Sequence, residues 1–340
     1  MTLAGLFDNF WVLLPVKLLA VVGVMLGFAL VIIYAELKVS AHMQSRVGPY
    51  YAGGRFGWAQ PLADALKFLQ KEDLVPEEAD SPVFRIAPMV SLMSTVAVFV
   101  VIPFAPTLVA RDLDIGAFYT LAVGSIGTLG VLMAGWSSAN KYSLMGGLRA
   151  AAQLIAYELP LVLAVVGVVI QAGTLSMVGI VEAQAQPVFH IGSVGIQLPY
   201  LFQGQIIGFL IFMTATLAEL SRIPFDLPIA ESELVMGFLT EYSGLRFTMF
   251  FLAEYAGMVS MSAIAATLFL GGYYVPGLDS NIFGPIVLLG KTALLVFLII
   301  WFRWTWPRLR EDQLQGFAWR WLVPLSLANI AVTAVLKVAF

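Results

Sequence analysis

Eight apolar windows, each long enough to cross about 30 Å of hydrocarbon, recur along this chain. They fall at 12–34, 86–104, 117–136, 148–170, 198–217, 247–270, 286–302 and 321–339. In lipid every backbone polar group must be satisfied within its own segment, so windows of this length are predicted to be helices. The expected fold is therefore all-α and polytopic, with about eight transmembrane helices. Only 11% of the residues are charged, against roughly 25% in an average soluble domain. No internal repeat interrupts the pattern and the loops are too short to hold a soluble domain, so residues 1–340 read as a single transmembrane domain. The first window has no basic residues ahead of it and no small-residue cleavage site, and reads as a retained span.

Orientation follows from the lysines and arginines. The first loop holds Lys38, Arg46, Arg55, Lys67, Lys71 and Arg85; the third holds Lys141 and Arg149, the fifth Arg222 and Arg246, the seventh Arg303, Arg308, Arg310 and Arg320. The second, fourth and sixth loops share Arg111 alone. Lys17, Lys291 and Lys337 lie near outer ends of spans, where they can snorkel. The bias places the odd-numbered loops in the cytoplasm and both termini outside.

Several functions are excluded by composition. The net charge of −3 and the lack of a basic stripe exclude nucleic acid as a partner. The chain has no cysteine, so it cannot hold a thiolate-bound iron–sulfur cluster, a cysteine-ligated zinc or a disulfide. Its two histidines, His42 and His190, fall on opposite membrane faces, which argues against a bis-histidine haem or metal site. If electrons are handled, a partner carries them.

The first loop, 35–85, contains an amphipathic helix. Pro61 suits a first helical position, Leu62, Leu66 and Leu69 share one face, and Asp64, Lys67 and Lys71 line another. Such a helix lies in the interface plane with its leucines toward lipid or toward the bundle. It either packs on the membrane surface or frames an opening for a lipid-like molecule.

Acidic residues inside the spans carry the functional signal. Glu158 lies about nine residues beyond Arg149, roughly 13 Å into the bilayer at the helical rise. Glu254 holds the matching place in the sixth window, Glu36 ends the first and Glu219 ends the fifth, one helical turn from Arg222. A carboxylate at such depth costs on the order of 2.5–3.5 kcal/mol on insertion scales. Each is either a structural ion pair or part of an ion or proton path, and four on different helices favour the path. Asn329, and Ser91, Ser94 and Thr95, read as helix–helix hydrogen bonders. Residues 218–245 add an acidic loop: Glu219, Asp226, Glu231, Glu233 and Glu241 fall there with one basic residue, Arg222. Pro224 and Pro228 bend its first part, and ESELVMGFL is expected to form a short amphipathic helix.

Six blocks in order carry a resemblance: AELKVSAHMQSRVGP (35–49), QPLADALKFLQKED (60–73), GWSSANKYSLMGGLRAAAQLIAYEL (135–159), AELSRIPFDLPIAESELVMGFLTEYSGLRF (218–247), FFLAEYAG (250–257) and PRLREDQL (307–314). The chain resembles the quinone-site membrane subunit of proton-pumping type I NADH dehydrogenase, respiratory complex I. The resemblance implies a subunit of a proton-translocating NADH:quinone oxidoreductase in the bacterial cytoplasmic (inner) membrane. It implies no cofactor on this chain, quinone as substrate, and an iron–sulfur cluster with NADH and FMN on partner subunits. The implied partners are the peripheral-arm subunits, with the terminal iron–sulfur cluster, antiporter-like and small membrane subunits, and the lipid bilayer.

Carried over by position, Glu158, Glu219 and Glu254 match intramembrane acids of a proton path. Glu231 and Glu233 match loop acids that feed it, with Arg222 and Asp226 bracketing the turn. Glu36, Arg46, Asp64 and Lys67 match positions around the quinone cavity and its lipid-side entrance. The chain departs from many members at Leu37, Leu220-Ser221 and Ile229, and from some at Ser125. Two other classes share parts of the pattern: the equivalent subunit of membrane-bound hydrogenases or of deazaflavin- or ferredoxin-dependent quinone reductases, and a free-standing proton-coupled transporter. The transporter would require symmetric halves, which the sequence lacks.

Overall fold

The computed structural model describes residues 10–187, 189–191 and 194–339. Its helices are α1 (Phe10–Met43), α2 (Gln60–Gln70), α3 (Ser81–Phe99), α4 (Gly116–Ser137), α5 (Lys141–Ala172) and α6 (Met177–Gln184), followed by α7 (Ile206–Glu219), α8 (Glu231–Leu234), α9 (Gly244–Phe269) and α10 (Gly284–Thr305). The last, α11 (Glu311–Phe317), runs through a π-helical turn at Ala318–Leu322 into α12 (Val323–Ala339). Two three-residue strands, β1 (Phe189–Ile191) and β2 (Val194–Ile196), pair antiparallel.

Among the described residues, seven helical segments are long and apolar enough to cross a membrane: α1, α3, α4, α5, α9, α10 and the continuous α11–α12. The fifth expected window behaves differently. Only 14 residues of it are α-helical, about 21 Å at the helical rise. A separate 3₁₀ turn, Tyr200–Phe202, precedes it, and Gly204 between them sits at φ 100°, which ends helical continuity. Hydropathy registers the apolar run but not that break. The connection before it contributes α6, an unexpected buried helix capped by Ser176, whose Oγ accepts from Gly179 N at 3.2 Å.

The two most enclosed spans are α5 and α9. Helix α5 starts where Asn140 accepts a hydrogen bond from Tyr142 N at 2.8 Å and stops at Gly173, at φ 75°. It packs against α4, α7 and α12, while α9 packs against α3, α10 and α1. Small residues let these helices meet backbone to backbone. A Cβ placed on Gly135 of α4 would stand 2.8 Å from Gly147 Cα of α5. Of the residues expected to bond between helices, Asn329 does so, donating to Gln205 Oε1 at 3.1 Å. Ser94 and Thr95 do not: both hydroxyls donate to Ser91 O in their own helix, at 2.8 and 3.3 Å.

Helix α2 lies against α1 and α9, but not by its leucines. Leu62, Leu66 and Leu69 remain 46, 60 and 62% exposed, while Pro61, Asp64, Ala65 and Phe68 form the docked stripe and Phe68 meets the Phe247 ring at 5.7 Å. The leucines therefore point away from the bundle.

The expected helix ESELVMGFL is broken. Only Glu231–Leu234 is α-helical; Val235 turns to φ 64°, and a 3₁₀ turn follows at Gly237–Leu239. The cause is steric. Gly237 sits at φ 56° against the preceding bend, where a Cβ would lie 1.8 Å from Pro228 O. Next to it, Tyr242 stacks on Phe84 with ring centroids 4.1 Å apart and donates to Phe84 O at 3.1 Å, so the acidic loop is anchored on α3. Gly237→Ala is expected to destabilise the protein by more than about 1 kcal/mol, read as a lower melting temperature in detergent. An unchanged melting temperature would contradict this account of the turn.

Candidate functional site

The loop after α7 determines where its charges go. Helix α7 ends at Glu219, Ser221 adopts φ 50°, and Arg222 N closes the turn on Leu217 O at 3.0 Å. This turn separates Arg222 from Glu219, so the ion pair expected between them within one helical turn does not form. Arg222 instead reaches across the bundle. It is 4% exposed and donates from Nη1 to both oxygens of Glu36, itself 4% exposed, at 3.0 and 3.2 Å. Its Nε lies 2.9 Å from Glu254 Oε1, off the N–H direction, so that contact is an ion pair without a hydrogen bond. The guanidinium also lies 4.7 Å from the centre of the Tyr255 ring. Arg303 of α10 donates to Glu36 from the other side. Burial works against the charge on Arg222, yet Glu254 and Glu36 hold it protonated above the ordinary arginine range.

Asp226 lies beside this cluster and forms no ion pair among the described residues. Burial pushes its carboxyl up to about 6; Glu254 adds to the rise, and Arg303, Arg308 and Arg222 oppose it.

Beside Glu254 is a partly open cavity of about 140 Å³, bounded by α3, α4, α5, the end of α7 and α9. Its lining includes Glu219, Glu254, Ser94, Thr95, Thr128 and Ser260. This is room for about four waters at roughly 30 Å³ each, with polar partners to hold them. Glu219 Oε2 is shielded and meets no hydrogen-bond donor. A Cβ on Gly124 would stand 3.8 Å from Glu219 Oε1, so α4 passes directly by this acid. One residue further along α4, Ser125 donates to Glu158. Glu36, Arg222, Glu254, Glu219 and Glu158 thus form a sequence of charged and polar groups across the bundle. Ile229 lines the same cavity, so the loop presents an apolar side chain there.

The remaining predicted residues lie elsewhere. Glu233 receives Arg149 at 2.8 Å and Arg308 as well, in an open cleft of about 340 Å³ that also holds Arg310, Glu311 and Asp312. The hydrogen bond from Arg149 leads in holding its carboxyl below the ordinary glutamate range. Glu231 is exposed, and Glu241 accepts from Asn140 Nδ2 at 2.6 Å. Arg46 is exposed and bonded to Gln44, Asp64 holds the Gln60 amide at 3.0 Å, and Lys67 is exposed. None of these three joins Glu36. Among the described residues no three His, Asp or Glu side chains converge as metal ligands.

Reading the sequence missed Arg303, Tyr255 and Ser125 as members of this arrangement, and Arg149 and Arg308 as partners of Glu233. Each arginine belongs to a basic cluster at the end of a span, for which the charge bias alone accounts. The available signal was pairing: Glu36 ends an apolar run, Glu254 lies inside one, and each calls for a cation.

A family model described as NADH dehydrogenase matches residues 16–334. The H subunit of NADH-quinone oxidoreductase from Bacillus mycoides (strain KBAB4) is 47% identical over 334 residues, which cover 98% of this chain and 96% of that protein. Proteins of the same name from Bacillus cytotoxicus and Bacillus cereus (strain B4264) are 46% identical over the same coverage.

The raised Asp226 predicts a pH dependence. A carboxyl whose folded value lies above its ordinary 3.8 contributes stability that is fully present below 3.8 and is lost as pH rises through about 6. Asp226→Asn is therefore expected to melt higher than the parent in detergent at pH 7.5 and to match it at pH 4. An equal difference at both pH values would contradict the assignment.

Proposed function

Because this chain belongs to the NADH dehydrogenase family of membrane subunits, we propose that it forms the quinone cavity with the peripheral arm and couples quinone reduction to proton translocation. Electrons reach the quinone from an iron–sulfur cluster on a peripheral-arm subunit, which draws them in turn from NADH through FMN. This chain supplies position and charge. The basic loops face the cytoplasm, and the cleft of Arg149, Arg308 and Arg310 with Glu233, Glu311 and Asp312 belongs to the docking face for that arm. Antiporter-like and small membrane subunits pack alongside, with lipid over the rest.

The observation that carries this reading is the single arginine shared by two acids. Arg222 binds Glu36 near the quinone end and Glu254 at the wall of the cavity that Glu219 also lines. Closely spaced carboxylates in low dielectric titrate together, so a charge change at one moves the protonation of the others. When the quinone headgroup gains electrons and draws protons, the balance at Glu36 shifts and Arg222 redistributes between its two acids. Glu254 and Glu219 respond across the cavity, and Glu158 passes the change to the neighbouring antiporter-like subunits. Glu231 and Glu233 respond at the loop surface, where Glu233 trades Arg149 and Arg308 contacts. Arg46, Asp64 and Lys67 belong to the entrance side, on or beside the helix whose leucines point away from the bundle.

Glu219→Gln in the assembled complex is expected to abolish coupled quinone reduction while ferricyanide reduction by the same preparation stays at the parental rate. Full coupled activity in that variant would sink the assignment.

A further inference from the structure

Ser125 is poised between two acceptors. Its Oγ lies 2.9 Å from Leu121 O, one turn back in α4, and within hydrogen-bond reach of Glu158 Oε1 on α5. A serine hydroxyl has one proton and two acceptor lone pairs, so it cannot donate fully to both. Leu121 O also receives the backbone N–H of residue 125 in the helical ladder, and is satisfied whichever way the hydroxyl turns. The serine is therefore free to follow its other neighbour. Glu158 makes no ion pair among the described residues that would hold it charged.

We propose that Ser125 is the positioning residue that lets Glu158 exchange its proton while keeping a hydrogen-bond partner in both charge states. With Glu158 ionised, the Ser125 proton points to Oε1 and forms a charge-assisted hydrogen bond. With Glu158 neutral, the carboxyl O–H donates to Ser125 Oγ, and the serine proton turns to Leu121 O. The proton count balances: the carboxyl gains or loses one proton, and the hydroxyl only rotates. Each state has a continuous chain of bonds whose direction reverses with the charge. A basic residue in place of Ser125 would fix Glu158 as an anion, and an apolar one would leave the anion unpartnered. The preceding residue reinforces the placement, because bare Gly124 faces Glu219 on the same turn of α4. One helical turn therefore touches both acids, with a hydroxyl aimed at Glu158 and an open backbone at Glu219.

The role in turnover rests on the proton path proposed above, but the hydrogen bond itself does not. Ser125→Ala and Ser125→Thr are compared with Glu158→Gln in the intact complex. Two readouts are taken: proton translocation per quinone reduced, and the carboxyl C=O stretch in infrared difference spectra, assigned to Glu158 by its loss in Glu158→Gln. Ser125→Ala is expected to keep parental ferricyanide reduction, to move the Glu158 band to higher frequency and to lower proton translocation about tenfold. Ser125→Thr, which retains the hydroxyl, is expected to restore both. If Ser125→Ala leaves band and translocation at parental values while Glu158→Gln abolishes translocation, the Ser125 proposal is overturned and the path through Glu158 stands. If the band moves in Ser125→Ala and returns in Ser125→Thr, yet Glu158→Gln translocates normally, Ser125 partners Glu158 as inferred and the proton path is what fails.

Discussion

A guanidinium excluded from water must be neutralised, and Arg222 is enclosed almost completely. Its requirement for anions brings distant parts of the chain to one place. Glu36 comes from the C-terminal part of α1, Glu254 from within α9, and Arg303 from the end of α10. Removing one partner from such a buried set costs on the order of 3–5 kcal/mol, because the remaining charge stays buried and uncompensated. The set is also not closed. Asp226 lies beside it without an ion pair among the described residues, and Glu254 borders the cavity that Glu219 also lines.

The rest of the bundle preserves a small cavity that two acids and several hydroxyls reach among apolar side chains. Backbone contacts such as that of Gly135 on Gly147 hold α4 against α5, and the anchored loop of Tyr242 on Phe84 closes the basic end. Between these contacts Gly124 of α4 leaves room for Glu219, and the neighbouring Ser125 donates to Glu158. An interior built this way separates two tasks. At one end Arg222 pairs with Glu36 and Glu254, and at the other Ser125 donates to Glu158.

The spans were legible because lipid forces backbone satisfaction within each segment, and hydropathy reports that directly. Hydropathy does not report helix continuity, so the break at Gly204 and the shortness of α7 escaped notice. The acids at depth were legible by their cost in lipid. Their partners were not: Arg303 and Arg308 satisfy the charge bias of the loops equally well whether they pair inward or face water. Glu219 and Arg222 looked like helical neighbours until the left-handed Ser221 turned the chain. In α2 the leucine periodicity was read correctly, but periodicity alone could not say which stripe docks when lipid is as good a solvent for leucine as the protein.

The central claim is that Arg222 makes Glu36 and Glu254 energetically one unit. A double-mutant cycle of Glu36→Gln and Glu254→Gln, read as proton translocation per quinone reduced by the assembled complex, tests it most directly. The account predicts strong non-additivity, with the double variant no more impaired than the worse of the two single variants. Losses that multiply, as they do for independent sites, would contradict it.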